Sequence, residues 1–323
     1  PYNVISTTKS WMSLIMGMMI QDGQLRLDET LDEIFDNDEM WRRRPNGDAD
    51  WTNDESSHDR DKDLVFRRAI TVKDLLTMTS GLQLPATTTD ADGNEKWNDG
   101  GGTLTEALLD PVRRIIGNNN DNNNGTNSNN NNDSNDQDQA KAFHYLGASN
   151  IMSYICKQRS DYAYSPREYL AAKVFPSLGI SNDAIDWNQN KEGMELAYYG
   201  LLMTPTQMAK LGQLYLQGGR SNNTHTLIHN DWVTESTSLQ GGNIDYGYLW
   251  WVYPTMFCAK GLGGQDICVS PLTDRVVVQQ RDFNFDKDKD DEATTAMGLA
   301  ALALNSDLLF SSNSEPDSID STV

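Results

Sequence analysis

Cysteine and histidine are both scarce. Only Cys156, Cys258 and Cys268 occur among 323 residues, an odd and sparse set that makes no disulfide framework, although Cys258 and Cys268 are candidates for a pair. His58, His144, His225 and His229 show no His-Glu-x-x-His or other metal-ligand spacing. Basic charge is also short: 26 Lys and Arg stand against 47 Asp and Glu, a net charge of -21. No basic patch survives such a balance, which argues against nucleic acid and against anionic membrane surfaces as partners. The longest apolar run, Trp11 to Ile20, is shorter than a membrane span of roughly 18 residues, and Gln21-Asp22-Gly23 stops it. Asp286, Asp288 and Asp290 alternate like a calcium loop. Asp291 stands where that loop needs glycine and Met297 where it needs its closing glutamate, so the segment reads as a solvated charge run. Gly147-Ala148-Ser149-Asn150-Ile151 lacks the last glycine of a nucleophile elbow.

What is present suffices for a core: 37% of the residues are hydrophobic. Two polar segments explain much of the low mean hydropathy of -0.61. Residues 36–63 are charged and turn-rich, and residues 117–138 are mostly Asn with no aliphatic or aromatic side chain. Both read as insertions within one domain spanning residues 1–310, since a long insertion adds little entropy when its ends are anchored. Residues 311–323 read as a disordered tail. Ser6 to Ile20 is apolar nearly all round and predicts a buried helix. Thr71, with Asp74 three residues on, predicts a capped helix closed by Ser80-Gly81. Further helices are predicted at Ile151 to Cys156, at Pro166 to Phe175 and after Thr204-Pro205. Tyr246 to Tyr253, Asp266 to Ser270 and Arg275 to Gln280 read as strands. Helices in the middle and strands late predict a mixed α+β fold, not alternating βαβ units.

Ser6-Thr7-Thr8-Lys9 heads the first helix and is the most informative stretch. Ser6 and Lys9, three apart, share a helical face. A serine hydroxyl keeps its proton at neutral pH. A lysine whose pKa is depressed by burial can accept that proton. Taken alone, the pattern is equally an N-cap serine followed by a solvated lysine.

Several segments in order remove that ambiguity. Ile5-Ser6-Thr7-Thr8-Lys9-Ser10 resembles the nucleophile motif of serine β-lactamases and penicillin-binding proteins. Gln21 to Asp28, Ile70 to Leu82, Gly200 to Pro205, Leu211 to Leu216, Tyr246 to Trp251 and Gly263-Gly264-Gln265 resemble further stretches of the class C branch. The resemblance runs from about Val4 to Leu304, apart from the two insertions, and is nearest to the esterases and 6-aminohexanoate-dimer hydrolases of that group. It implies an antiparallel sheet flanked by helices, plus an all-α region, with the active site between them. Relatives place a helix and two strands ahead of the nucleophile helix, so the N-terminal strands are expected to be missing and the sheet edge open.

The resemblance further implies Ser6 as nucleophile, with Lys9 and Tyr145 moving its proton. Tyr145, in Phe143-His144-Tyr145, falls where the family keeps a tyrosine, and a phenol beside an ammonium can have its pKa lowered, so that it acts as base and then as acid. Many relatives carry Asn or Ser two residues further on, where Gly147 stands here. Asn150 is the nearby amide able to substitute. Counting back from Gly264-Gln265 puts Ala259, Lys260 and Gly261 on the Lys-Thr-Gly positions; a one-residue shift would put Lys260 first. In the ungapped register Leu262 offers an oxyanion-hole N–H beside that of Ser6. Lys260, Gly261, Gly263 and Gln265, with Asn150, are then the candidate substrate contacts. The expected substrate is a small-molecule ester or amide, more than a β-lactam, and neither metal nor organic cofactor is implied. The departures at Gly147 and Ala259 leave one alternative, a catalytically silent binding or scaffold relative.

Overall fold

The computed structural model describes residues 1–35, 69–81, 87–89, 95–97, 143, 145, 150–161, 163–182, 185–190, 192–221, 225–240 and 245–282. The two insertions, His144, Gly147 and the tail expected at residues 311–323 lie outside the described residues. After a short strand β1 (Tyr2–Asn3) and a 3-10 turn (Ile5–Thr7), the apolar run forms α1 (Thr8–Gln21). Twelve of its fourteen residues are buried, as a helix without a polar face must be. Gly23, at φ 71, turns the chain away from its end.

Two short helices follow, α2 (Leu31–Phe35) and α3 (Val72–Leu76). Thr71 caps α3 through a reciprocal capping box with Asp74, as expected. The helix ends at Leu76, earlier than Ser80-Gly81, because Met78 takes φ 59, which no right-handed helix continues. Two strands, β2 (Thr87–Thr89) and β3 (Glu95–Trp97), pair as a hairpin. Beyond them, α4 (Ile151–Arg159) packs against α1 and α2. Then α5 (Pro166–Tyr169), capped by Ser165 and Glu168, runs through a π-turn (Leu170–Val174) into α6 (Phe175–Leu178). Pro176 lacks the N–H that would meet the carbonyl four residues back, and the helix widens just ahead of it.

Strands β4 (Asp186–Trp187) and β5 (Leu201–Met203) join β1 in a small antiparallel sheet ordered β1-β5-β4. Thr204 caps α7 (Pro205–Leu216) with Gln207. A small hairpin, β6 (Arg220–Ser221) with β7 (His225–Thr226), leads to α8 (Asn230–Ser236). The main sheet comes last, as β8 (Trp251–Tyr253), β9 (Met256–Gly261), β10 (Gln265–Ser270) and β11 (Arg275–Gln279). It is antiparallel throughout, ordered β11-β10-β9-β8. The first strand is shorter than the expected Tyr246 to Tyr253, because Leu249 takes φ 64 and turns the chain before Trp251.

Alternation divides the main sheet. Phe257, Ala259, Ile267, Val269, Val276 and Val278 belong to the large core, and α7 packs on β10 and β11. Met256, Cys258, Cys268, Val277 and Tyr253 form a separate apolar cluster. In that cluster Cys258 and Cys268, directly paired across β9 and β10, form a disulfide. Close approach is purchased with glycine at two helix positions. A Cβ on Gly212 would stand 2.5 Å from Val276, and one on Gly17 would stand 2.3 Å from the Trp232 indole of α8. The mixed α+β architecture expected from the sequence is the one observed.

Candidate active site

Ser6 sits in the 3-10 turn that feeds α1, and Lys9 one turn on in the helix. The turn is forced. Ile5, a β-branched residue, is held at φ 49, a region that side chains of this kind rarely enter. The Asn3 carboxamide oxygen fixes it by accepting from the N–H groups of Ile5 (2.9 Å) and Gly200 (3.2 Å). Val4 N–H donates to the Leu201 carbonyl at 2.9 Å. The turn that carries Ser6 is thus stitched to the start of β5 before the helix begins.

Lys9 Nζ lies 2.8 Å from Ser6 Oγ and donates to the Tyr198 carbonyl at 3.1 Å. Its side chain is 1% exposed. Burial, with no carboxylate partner among the described residues, lowers its pKa from 10.5 to about 7. About half of the amine is therefore neutral and able to accept a proton at pH 7, which an exposed lysine is not.

Tyr145 completes the group. Lys9 Nζ stands 4.7 Å from the centroid of its ring, and the polar groups of Ser6 and Trp251 lie near enough to its hydroxyl to influence its titration. The expectation of a lowered phenol pKa is corrected here. Burial dominates and pushes Tyr145 up, the nearby polar groups of Ser6 and Trp251 oppose it, and the charge of Asp266 adds to the rise. Tyr145 is thus a phenol that can donate, beside a lysine that can accept. Phe143, Tyr246 and Trp251 pack around its ring at centroid distances of 6.4, 6.2 and 5.4 Å.

The turn between β9 and β10 borders Ser6. A Cβ on Gly261 would stand 2.5 Å from the Val4 carbonyl, so only glycine lets that strand approach. The Thr7 hydroxyl donates to the Gln265 carbonyl, closing the other side. Leu262 heads the turn with its side chain exposed, and Gly263 and Gly264 follow at φ 75 and 81. Ala259 is buried in the core. Lys260 is half-buried opposite Asp266. Desolvation lowers the Lys260 pKa and raises that of Asp266 to about 6.

Two candidate substrate contacts are occupied by the protein itself. The Gln265 carboxamide donates to the Arg281 carbonyl at 2.7 Å and accepts from Arg281 N–H at 3.4 Å. Asn150 is 1% exposed, and its Oδ1 accepts from Ala197 N–H at 3.0 Å. Sequence reasoning missed Tyr198, whose contribution is a backbone carbonyl, and Trp251, whose packing against the Tyr145 ring no spacing reveals.

The chain belongs to the β-lactamase family, whose model, described as Beta-lactamase, matches residues 1–300. No curated protein sequence matches it. Among solved structures it is similar to a Bacillus anthracis protein described as a 6-aminohexanoate-dimer hydrolase, at 16% identity and a TM-score of 0.61, over 98% of this chain and 74% of that one. An octameric penicillin-binding protein homologue from Pyrococcus abyssi is similar at 17% identity and a TM-score of 0.56, over 96% of this chain and 66% of that one. A family VIII carboxylesterase is similar at 12% identity and a TM-score of 0.52, over 88% of this chain and 78% of that one. At these identities the likeness is one of fold, and it matches the family read from the sequence.

Proposed function

We infer that this chain is a serine hydrolase that cleaves an ester or amide through an acyl-enzyme on Ser6. The observation carrying this reading is the buried Lys9 amine, 2.8 Å from Ser6 Oγ, with its pKa lowered to about 7. Ser6 Oγ bonds to the substrate carbonyl carbon while its proton passes to Lys9. The resulting oxyanion is held by the backbone N–H groups of Ser6 and Leu262. As the carbonyl–leaving group bond breaks, the Tyr145 hydroxyl donates to the departing oxygen or nitrogen and is reprotonated at the expense of Lys9. Water then attacks the acyl carbon, the same groups move its proton, and Ser6 leaves with its own restored.

Ala259 supports esters and amides over β-lactams. In the ungapped register it stands where a lysine would bind a substrate carboxylate, and it is buried and uncharged. Lys260 faces Asp266 across the strand pair. Incubation with a fluorophosphonate, followed by intact mass measurement, tests the reading. A single adduct mapped to Ser6 and lost in Ser6→Ala is expected. No adduct, with no turnover of short esters, would favour the scaffold alternative.

A further inference from the structure

Lys9 leans on one backbone atom, the Tyr198 carbonyl. The segment that presents it is not a regular strand, since residues 196–200 precede β5. It is nevertheless clamped group by group. Ser153, in the first turn of α4, donates its hydroxyl to the Glu195 carbonyl at 2.7 Å. Leu196 N–H donates to the Asn188 carbonyl at 3.0 Å. The Trp187 indole N–H, reaching from β4, donates to the Leu196 carbonyl at 2.9 Å. Asn150 accepts from Ala197 N–H, one residue ahead of the Tyr198 carbonyl that receives Lys9.

The orientation of the Asn150 amide follows from this bond. Ala197 N–H can only donate, so Oδ1 must face it and Nδ2 faces away. Nδ2 is buried without a hydrogen-bond partner among the described residues. A buried amide that leaves its donor end unused while its acceptor end holds a backbone N–H is retained for the acceptor.

We propose that Asn150 and Trp187 are positioning residues, which hold segment 195–198 from its two sides so that the Tyr198 carbonyl fixes Lys9 Nζ against Ser6 Oγ. The inference rests on the reading of Ser6 and Lys9 as nucleophile and base, and it replaces the expectation that Asn150 binds substrate. Its physical basis is leverage. Freeing either clamp lets the carbonyl retreat, and a base displaced by about 1 Å loses rate by up to roughly a hundredfold. Loss of an acceptor also disfavours the ammonium form of Lys9.

Fluorophosphonate labelling of Ser6 as a function of pH tests this, because the probe carries no amide for Asn150 to bind. Asn150→Ala and Trp187→Phe are both expected to slow labelling about tenfold or more and to move its acid limb to lower pH. Asn150→Asp, which keeps an acceptor for Ala197 N–H in either protonation state, is expected to recover most of the rate. Unchanged rate and unchanged limb in Asn150→Ala would overturn the proposal. So would a defect confined to amide substrates, which would make Asn150 a substrate contact. Should Asn150→Ala fail to fold, Trp187→Phe decides alone, and wild-type labelling there overturns the proposal. Absence of labelling in the wild type would instead strike at the function, and is told apart from these outcomes by that control.

Discussion

Lys9 Nζ stands over the face of the Tyr145 ring, 4.7 Å from its centroid. A cation over a desolvated ring gains about 0.5–2 kcal/mol. Yet the amine still falls from 10.5 to about 7, so burial outweighs that attraction. This ranking assigns the proton traffic. Hydrolysis of an activated ester is expected to rise with pH, with a midpoint near 7, as Lys9 becomes neutral, and then to level. Tyr145→Phe keeps the ring face and removes the hydroxyl. It should leave the midpoint in place while lowering the plateau by about 10²–10⁴. Stopped-flow acylation across pH 5–9 measures both, and a midpoint that disappears with the hydroxyl would transfer the titration to Tyr145.

The same buried amine has a consequence for stability. In the unfolded chain Lys9 titrates near 10.5, in the folded protein near 7. Between these values the unfolded state binds more protons, so stability rises with pH across that window. Below pH 7 both states are charged and the full penalty applies. Lys9→Met, similar in length and uncharged, is therefore expected to abolish labelling of Ser6 yet raise the melting temperature at pH 6. The gain should shrink as pH rises from 7 toward 10. Calorimetry at pH 6 and pH 9.5 checks the sign, and a variant less stable than wild type at pH 6 would contradict it.

Packing at the sheet makes a separate expectation. Gly212 of α7 lies where a methyl group would stand 2.5 Å from Val276 and 2.9 Å from Ile267. Alanine is the better helix former by about 1 kcal/mol. Overpacking a tight core costs about 1–3 kcal/mol. The clash wins, because both neighbours are β-branched side chains fixed in a sheet. Gly212→Ala should lower the urea midpoint, whereas the same change at the exposed turn glycine Gly23, with nothing within 4 Å, acts only through its φ of 71.

The buried helix α1, the capping box at Thr71 and the family itself were legible in the sequence. Each rests on local chemistry: an apolar run, a side chain placed to meet its own backbone, a spacing of three. The closeness of Ser6 and Lys9 on one helical turn was legible for the same reason. The Tyr145 titration was not, because the burial that raises it is built by residues distant in sequence, Tyr246 and Trp251 among them. Nor was Tyr198 visible, since its contribution is a carbonyl that any residue possesses. The end of α3 was misread because Met78 adopts a left-handed φ that glycine would have announced and methionine does not.

Cys258 and Cys268 join adjacent strands on either side of the turn that carries Leu262. Closing a loop of this size removes unfolded-state entropy worth about 2–3 kcal/mol. The turn itself has other supports. Gly261 pairs with Gln265 in the strand ladder, and the Thr7 hydroxyl holds the Gln265 carbonyl. Replacing both cysteines with alanine should therefore lower stability by about that amount while leaving Ser6 labelling little changed at temperatures where the protein is folded. Urea titration gives the first quantity and fluorophosphonate kinetics the second. A folded double variant that no longer labels would mean that the cross-link, rather than the ladder and Thr7, sets the shape of the turn at Leu262.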